Sequence, residues 1–426
     1  MEEQLEQLTE PLIIQTQQVQ EEVHQSKERL SQILERMLDS RQVKSDGSAT
    51  ATSGAAASSS GATPQLYPAR LCPKMFLTYD RLFRMLFWGC VSALLTVLVN
   101  TLGLCSCNVA FPIIWLLTAG TYLALASMKL PSLGKAVLVT GCDTGFGHHL
   151  ALHLDKLGFR VFAGCLHCEG AGAKRLRREG SGRLHVLQLD VTSQKQIAKA
   201  LQDVKHFLNS GEVLWGLVNN AGISTYGAVE WVSMDTYRKL SEVNLFGPIA
   251  VTKAFLPLIR KVKGRVVTVA SVRGRMSSPM GTAYEVTKYG VEAFNDGLRN
   301  EMRRFGVDVC LIEPGNFTVG TGIYSAESVQ RDGQAMWVAM DQQVKDDYGK
   351  DYIERIQQSQ LKDTRSGNPD VSEVVDALTD ALTQRFPQSR YQPMDLDYYV
   401  RVFVNQHFPE WVYDYLIIEF LRKFGW

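Results

Sequence analysis

The sequence predicts an α/β fold: a doubly wound parallel sheet with helices on both faces, preceded by a transmembrane helical hairpin. From Lys135 onward, short apolar runs alternate with amphipathic stretches of helical length, the rhythm of repeated β–α–β units. Before that point, residues 85–128 contain no Asp, Glu, Lys or Arg, which is typical of membrane-spanning helices.

Composition places the chain among ordinary globular proteins. Its 426 residues, 45% hydrophobic and 21% charged, suffice for one large α/β domain with appendages. The formal net charge of +1 gives no reason to expect a nucleic-acid partner. The 8 cysteines show no repeated spacing, which favours a reducing compartment. Cys165 and Cys168 form a lone pair, whereas a zinc site needs about four ligands, so no metal is predicted.

The first segment, residues 1–42, is polar, and its apolar residues recur at four- and seven-residue spacings. This pattern predicts a short coiled coil of about three heptads, with a solvated, partly formed helix as the alternative. Residues 43–70 are rich in Ala, Ser, Gly and Thr and indicate a flexible linker. The apolar residues of the first segment that carry this spacing are Val19, Val23, Leu30, Ile33 and Met37.

A hairpin that crosses the membrane twice is predicted over residues 82–128. Residues 85–104 and 109–127 are each long enough to cross a hydrocarbon layer of about 30 Å, and polar residues separate them. A single longer span and a buried pair of core helices are the alternatives. Lys and Arg flank both ends, so the positive-inside rule places both ends in the cytosol.

The amino terminus bears on the compartment. Its first ten residues, MEEQLEQLTE, carry four acids and no base, unlike a mitochondrial presequence or a signal peptide. We therefore expect the hairpin to stay as an anchor, with the endoplasmic reticulum favoured and the catalytic domain facing the cytosol. A mitochondrial membrane is the alternative.

Six apolar runs predict the strands of a catalytic domain over residues 131–395. The tail, residues 396–426, is strongly aromatic and has two expected roles, closing a substrate pocket and lying on the membrane surface. The strand runs are AVLVT, FRVFAG, LHVLQLD, WGLVNN, GRVVTVAS and VDVCLIEP.

A glycine-rich loop joins the first predicted strand to the first helix. Glycines at 141, 145 and 147 permit a tight turn and close approach to a pyrophosphate, and the helix amino terminus then offers N–H donors. The predicted cofactor-binding residues of this loop are Thr140, Gly141, Asp143, Thr144, Gly145, Phe146 and Gly147.

The GxxxGxG spacing resembles the short-chain dehydrogenase/reductase superfamily, and later motifs agree in order. The resemblance implies a Rossmann-type fold and assigns Asp190 to the adenine amino group. It places Asn220, Ala221 and Gly222 in a turn lining the cofactor cleft. It also implies that Pro314, Gly315 and Thr318 cover the nicotinamide.

Tyr284 and Lys288 are the firmest catalytic candidates. Their four-residue spacing puts both on one helix face, where the ammonium can stabilise a phenolate and lower a tyrosine pKa that is ordinarily about 10. Ser271, thirteen residues before the tyrosine, would bind the substrate oxygen. Lys288 would also bind the nicotinamide ribose, and the resemblance assigns Asn244 to a proton relay through water.

The cofactor is predicted to be NAD(H) rather than NADP(H). The second strand ends without the acid that often binds the ribose hydroxyls of NAD, and without a cation that would accept a 2′-phosphate. Asp143 within the glycine loop would repel such a phosphate.

The substrate is open between two kinds of alcohol. Strings such as TGCDTGFG, GISTYG and DYGKDY resemble the branch that contains retinol, 17-beta-hydroxysteroid and D-3-hydroxybutyrate dehydrogenases, most of all the last. Arg273 and Arg275 are candidate anchors for a small carboxylate. Residues 317–345 could instead form an apolar lid, through Phe317, Tyr324, Met336, Trp337 and Met340.

The hairpin favours a lipophilic secondary or allylic alcohol, or its ketone, because such molecules partition into membrane lipid. 3-Hydroxybutyrate is the alternative substrate, and a non-catalytic membrane scaffold is the alternative of another class. The resemblance implies a homodimer or tetramer formed through the helix that follows Asn244 and the helix that carries Tyr284.

Overall fold

The computed structural model describes residues 79–422, so the predicted coiled coil of residues 1–42 and the linker of residues 43–70 lie outside the described residues. In chain order, the elements are α1 (Tyr79–Thr101), α2 (Cys107–Ser127), β1 (Lys135–Thr140), α3 (Gly145–Lys156), β2 (Arg160–Cys165), α4 (Ala171–Glu179), β3 (Leu184–Gln188), α5 (Gln194–Phe207), β4 (Val213–Asn219), α6 (Met234–Ser241), a π-helical turn (Glu242–Phe246), α7 (Gly247–Lys261), β5 (Arg265–Val269), a 3-10 turn (Val272–Gly274), α8 (Thr282–Met302), a second 3-10 turn (Arg303–Phe305), β6 (Asp308–Ile312), α9 (Thr318–Thr321), α10 (Ala326–Ala339), α11 (Gln342–Tyr348), α12 (Lys350–Asp363), α13 (Ser372–Thr383), β7 (Arg390–Tyr391), α14 (Leu396–His407) and α15 (Glu410–Arg422).

The sheet confirms the predicted doubly wound architecture. Its 7 strands are ordered β3-β2-β1-β4-β5-β6-β7, and every neighbouring pair is parallel. The six predicted runs correspond to β1 through β6. β7 was not predicted, because a strand of 2 residues is too short to show any alternation of apolar and polar residues.

The hydrophobic core lies in two layers, one on each face of the sheet. Along β1, Val137 and Val139 belong to one layer, and Ala136 and Leu138 belong to the other. Side chains alternate between the two faces of a strand, so a strand apolar at every position is buried on both sides. The chain reverses its winding between β1 and β4, which opens a crevice at the carboxyl ends of these strands.

Helices α1 and α2 form a hairpin, broken at residues 102–106 as the polar interruption predicted. Trp115 Nε1 on α2 donates to the Met85 carbonyl on α1 at 3.2 Å. Leu94 and Leu116 are 73% and 69% exposed, and contiguous apolar exposure of this kind is unfavourable in water.

The described residues contain 3 helical stretches long and apolar enough to cross a membrane, and the third is Met234–Lys261. That stretch runs through α6, the π turn and α7. Its residues Val251, Phe255 and Ile259 are buried in the core layer against the sheet. Packing therefore assigns the third stretch to the catalytic domain rather than to the bilayer.

The hairpin is fastened to the carboxyl-terminal part of the catalytic domain. The Asp380 carboxylate on α13 accepts hydrogen bonds from Arg81 and from Lys129, at the two ends of the hairpin. Arg84 of α1 donates to the Arg390 carbonyl at 3.0 Å. These contacts give the hairpin a defined position at the β7 edge of the sheet.

Candidate active site

The glycine loop packs directly against the turn that follows β4. Gly141 has a φ of +69°, and a Cβ there would lie 2.7 Å from the Cα of Ala221. A Cβ on Gly147 would lie 2.5 Å from both the Gly141 carbonyl and Asn220 Nδ2. Both glycines are needed because the neighbouring backbone leaves no room for a side chain.

A reciprocal set of hydrogen bonds fixes the carboxyl ends of β1 and β4. Thr140 Oγ1 accepts the backbone N–H groups of Asn220 and Ala221, each at 3.0 Å. In return, Asn220 Nδ2 donates to the carbonyls of Thr140 at 2.9 Å and Gly141 at 3.0 Å. The predicted cofactor residues of the two turns therefore form one rigid unit.

The amino terminus of α3 fits the pyrophosphate of a dinucleotide. Thr144 occupies the N-cap position, but its side chain accepts none of the first-turn N–H groups, which leaves them to an anion. Gly145 begins the helix with a φ of +60°. The Phe146 ring lies edge-on to Phe317, at 5.7 Å between centroids.

Asp143 lies at the end of β2, where the sequence had suggested that no acid was present. Its carboxylate accepts the backbone N–H of Leu166 at 2.8 Å and of His167 at 3.0 Å. The glycine loop therefore places a carboxylate at the end of β2, where the second strand itself has none. Sequence reasoning missed this because 23 residues separate Asp143 from Leu166.

Asp190 follows β3 and stabilises the turn after it. Its Oδ1 accepts the backbone N–H of Thr192 at 2.9 Å and the Thr192 hydroxyl at 2.7 Å. The contact of Asp190 with an adenine stays a prediction.

Ser271 and Tyr284 are brought together by β5 and α8. Ser271 comes after β5 with extended backbone, and its Oγ accepts the Arg273 N–H at 3.2 Å. Tyr284 lies in the first turn of α8, where its hydroxyl hydrogen-bonds Ser271. A hydroxyl pair in this position can hold one substrate oxygen between them.

Lys288 is buried one turn after Tyr284, with only 6% of its surface exposed. Its Nζ donates to the Val269 carbonyl at 2.9 Å and lies 5.5 Å from the centre of the Tyr284 ring. Burial lowers the pKa of Lys288 to about 8, and the Glu292 carboxylate opposes that change.

The pKa of Tyr284 is raised above its ordinary range because the side chain is buried. The hydrogen bond from Ser271 and the charge of Arg273 oppose this rise. The sequence analysis also expected the Lys288 ammonium to favour the phenolate of Tyr284. Its Nζ lies 5.5 Å from the centre of the Tyr284 ring and donates to the Val269 carbonyl, and its effect on Tyr284 stays a prediction.

Asn244 lies in the π-helical turn Glu242–Phe246, the kind of local irregularity that often marks functional sites. Its Oδ1 accepts the Ile223 N–H at 2.9 Å, and its Nδ2 donates to the Ile223 carbonyl and to Thr287 Oγ1. A Cβ on Gly222 would meet Asn244 Oδ1 at 3.4 Å and Lys288 Nζ at 4.0 Å. Gly222 thus lies close to both the asparagine and the lysine, and the water expected to link Asn244 with Lys288 stays a prediction.

The segment after β6 is held on both sides. The Pro314 carbonyl accepts the Val272 N–H at 2.9 Å, and the Gly315 N–H donates to the Pro393 carbonyl at 3.0 Å. Thr318 begins α9, and its N–H donates to Asn316 Oδ1 at 3.1 Å. This segment therefore connects the Ser271 turn to the carboxyl-terminal part of the domain.

The two candidate anchor arginines are both engaged by buried carboxylates. Arg273 donates to Glu285 at 2.7 Å. Arg275 lies 3.8 Å from Glu313 and 4.0 Å from Glu292. Sequence reasoning missed these acids, since nothing in the local pattern shows that they face the arginines.

Comparison with known proteins decides the family. The pattern of the short chain dehydrogenase family matches residues 135–330. The mitochondrial D-beta-hydroxybutyrate dehydrogenase of Rattus norvegicus is 47% identical over 289 residues, which cover 67% of this chain and 84% of the relative. The chain belongs to the short-chain dehydrogenase family. It is an oxidoreductase, and the family's fold binds a nicotinamide cofactor.

Other relatives carry the names of dehydrogenases for different alcohols. Retinol dehydrogenase 16 of Mus musculus is 45% identical over 259 residues, covering 60% of this chain and 80% of the relative. The 17-beta-hydroxysteroid dehydrogenase type 6 of Bos taurus is 41% identical over 258 residues, covering 60% of this chain and 80% of the relative. A short-chain dehydrogenase structure from Streptomyces avermitilis matches with a TM-score of 0.50 and 26% identity, covering 62% of this chain and 89% of that one.

Replacing Tyr284 with Phe should reduce turnover by about 10²–10⁴-fold, because the variant loses the hydroxyl that exchanges a proton with substrate. The reduction is measured by following NADH absorbance with any alcohol that the unmodified enzyme oxidises. Tyr289→Phe, at a 41% exposed position on the same helix, is the matched control and should keep full activity. Unchanged turnover in Tyr284→Phe would exclude Tyr284 as the acid/base.

Proposed function

We propose that this protein is a membrane-anchored dehydrogenase that interconverts a lipophilic secondary or allylic alcohol and its carbonyl, using NAD(H). Hydroxysteroids and retinoids are the substrate classes that fit. The observation that carries the proposal concerns the two arginines near Ser271. Both Arg273 and Arg275 already face buried carboxylates of the protein, so neither is reserved for a small substrate carboxylate.

The charge of Arg273 is compensated inside the protein. Glu285, its partner at 2.7 Å, has a side chain only 4% exposed and also accepts the Ser278 N–H. Arg275 is shared between Glu292 and Glu313, of which Glu313 is fully buried. A substrate carboxylate here would have to share a guanidinium with a buried acid, and two carboxylates at one cation repel each other.

The residues around Arg273 are largely aromatic. Tyr324, which precedes α10, lies close enough to Tyr284 to influence its ionisation. The Tyr324 hydroxyl shares a hydrogen bond of 2.6 Å with Ser224 Oγ and donates to the Thr225 carbonyl at 2.7 Å. Tyr398 and Tyr413, from the two carboxyl-terminal helices, also lie within the influence of Arg273. Such surroundings suit an apolar ring system carrying one polar oxygen.

The residues of the site have separate tasks in the proposed reaction. Ser271 binds the substrate oxygen, and the Tyr284 phenolate takes the hydroxyl proton during oxidation and returns it during reduction. Lys288 stabilises the phenolate by its charge. The glycine loop, Asp143 and the turn at Asn220 would hold the nicotinamide dinucleotide, which, when bound, accepts or gives up the hydride.

A second candidate substrate is 3-hydroxybutyrate. It is favoured by the 47% identity to the rat hydroxybutyrate enzyme, of which the match covers 84%. For this substrate to bind, Arg273, whose side chain is 36% exposed, would have to hold the substrate carboxylate beside that of Glu285.

A substrate panel separates the two candidates. With retinol, a hydroxysteroid and 3-hydroxybutyrate compared at equal NAD⁺, kcat/KM should be highest for one of the lipophilic alcohols. Arg273→Lys, which keeps the charge but loses the fork geometry, should change their turnover little. The highest kcat/KM with 3-hydroxybutyrate, together with its loss in Arg273→Lys, would favour the second candidate.

Asp143 supports the proposed preference for NAD(H). A carboxylate held at the end of β2 can accept hydrogen bonds from ribose hydroxyls, and it repels a 2′-phosphate placed there.

Asp143→Asn should raise the ratio of kcat/KM with NADP⁺ to that with NAD⁺ by about tenfold, since removing one charge weakens repulsion by roughly 1.4 kcal/mol. The ratio is obtained from initial rates with each cofactor. Glu169→Gln removes a carboxylate whose side chain is 85% exposed and should leave the ratio unchanged. A ratio that stays constant in Asp143→Asn too would count against this role.

The anchor is proposed to be the hairpin of α1 and α2. Its exposed leucines and the absence of charged residues between positions 85 and 128 support insertion into a bilayer. The endoplasmic reticulum is the favoured membrane, and a mitochondrial membrane is the alternative. The catalytic domain would then face the cytosol, as a homodimer or tetramer.

Carbonate extraction of membranes tests the anchor. The full chain should stay in the pellet, whereas Leu94→Arg combined with Leu116→Arg should be released, because each central arginine costs about 2.5–3.5 kcal/mol of insertion. Leu133→Arg, at an 89% exposed position beyond the hairpin, should stay in the pellet. Release of the unmodified chain would contradict membrane insertion.

A further inference from the structure

The catalytic face of α8 continues below Lys288 with two acids. Tyr284, Lys288, Glu292 and Asp296 follow one another at four-residue intervals, so they lie along one side of the helix. The first two belong to the active site. Glu292 is only 6% exposed, and its Oε1 is buried without a hydrogen-bond partner. Nothing in the reaction described so far requires a buried acid at this position.

Glu292 sits within a cluster of charged groups contributed by four elements. Arg390 of β7 is at its centre: Nη1 donates both to Glu292 and, at 2.8 Å, to Glu313. The Nη2 of Arg390 donates to Asp296 at 2.6 Å and 2.7 Å. The charged groups that face Glu292 are Lys288 and Asp296 of α8, Arg275 after the 3-10 turn, Glu313 after β6 and Arg390 of β7.

Two carboxylates that share one guanidinium nitrogen repel each other, and burial adds to the cost of holding both charges. These two causes, burial first, raise the pKa of Glu292 to about 8. The unpartnered Oε1 of Glu292 is consistent with a carboxyl group that can carry a proton. Glu292 therefore changes its charge close to the pH range in which Lys288 does.

The turn that follows Ser271 lies close to both Glu292 and Lys288. A Cβ on Gly274, in the turn just after Ser271, would lie 3.0 Å from Glu292 Cγ and 3.0 Å from the Lys288 carbonyl. The turn that carries Ser271 therefore packs directly on this part of α8. Glu292 and Lys288 are each only 6% exposed, and buried charges act on each other more strongly than charges at the surface.

We propose that Glu292 is a positioning residue for the reaction: its carboxylate, held by Arg390 beneath the catalytic helix face, keeps Lys288 in its ammonium form and so determines how readily Tyr284 gives up its proton. Glu313 acts in the opposite sense, because its negative charge favours a proton on Glu292. This inference rests on the proposed acid/base role of Tyr284.

The direction of the effect follows from the charges. An ionised Glu292 stabilises the Lys288 ammonium, and the ammonium stabilises the Tyr284 phenolate. Alcohol oxidation needs the phenolate, so its rate rises with pH through the pKa of Tyr284. A substitution that makes Glu292 lose its proton more easily should therefore move the rise of the oxidation rate to lower pH.

Two isosteric variants give opposite predictions. Glu292→Gln should move the rise of kcat/KM for oxidation to higher pH by about 0.5–1 unit, because Lys288 loses its supporting charge. Glu313→Gln should move it to lower pH by a similar amount, because it removes the repulsion that keeps a proton on Glu292. Asp235→Asn, which removes a carboxylate from a side chain that is 91% exposed, should leave the profile unchanged.

A purely structural role for the cluster would not produce shifts of opposite sign. Thermal unfolding curves confirm that each variant is folded before its pH profile is compared. Shifts in the same direction, or the absence of a shift in both variants, would overturn the proposal.

A second measurement needs no alcohol substrate. The quantity is the proton release that accompanies NAD⁺ binding, and calorimetry in two buffers of different ionisation enthalpy measures it. Followed as a function of pH, this release reports the ionisation of Tyr284. Its midpoint should move upward in Glu292→Gln and downward in Glu313→Gln. If every alcohol tested is inactive but these midpoints move, the proposed substrate class fails and the role of Glu292 stands. If turnover is normal and the midpoints coincide, the role of Glu292 fails.

Discussion

Lys288 holds an ammonium group inside the protein, and much of the site is arranged around the free-energy cost of keeping it there. An isolated buried charge costs several kcal/mol, even after the surroundings have relaxed. The Val269 carbonyl accepts one hydrogen bond from Nζ, and the Glu292 carboxylate raises the pKa of the lysine against the effect of burial. Because Glu292 offsets the effect of burial only in part, the pKa of Lys288 is lowered to about 8. At such a value the charge of the lysine can respond to its neighbours.

Parallel strands bring the other groups to this lysine, because their carboxyl ends meet at one edge of the sheet. β5 ends at Val269 and leads into Ser271, so a single strand provides the acceptor for Lys288 and the hydroxyl proposed to bind the substrate oxygen. On the cofactor side, the bonds between Thr140 and Asn220 hold the ends of β1 and β4 together. The catalytic geometry therefore depends on sheet register more than on the loops themselves.

The hairpin of α1 and α2 and the acid cluster around Glu292 share a residue, Arg390. The backbone carbonyl of Arg390 accepts a hydrogen bond from Arg84 of α1, and its side chain holds Glu292 and Glu313 together. β7 is only two residues long, yet it joins the hairpin to the acids on α8 and after β6. The carboxyl-terminal helices continue this connection, since Asn405 and Tyr413 bind the backbone that follows Ser271.

The sequence alone determined the hairpin, six strands of the sheet and the grouping of Ser271, Tyr284 and Lys288, whose catalytic role is proposed. Each of these depends on local information: a charge-free run, a short apolar segment, or a spacing of four on a helix. Tertiary structure alone decided that Asp143 supplies the acid at the end of β2, that Arg273 is paired with Glu285, and that Arg390 holds Glu292 from 98 residues away. Those partners are set by the register and packing of the folded sheet. No periodicity in the chain encodes which buried acid will face which base.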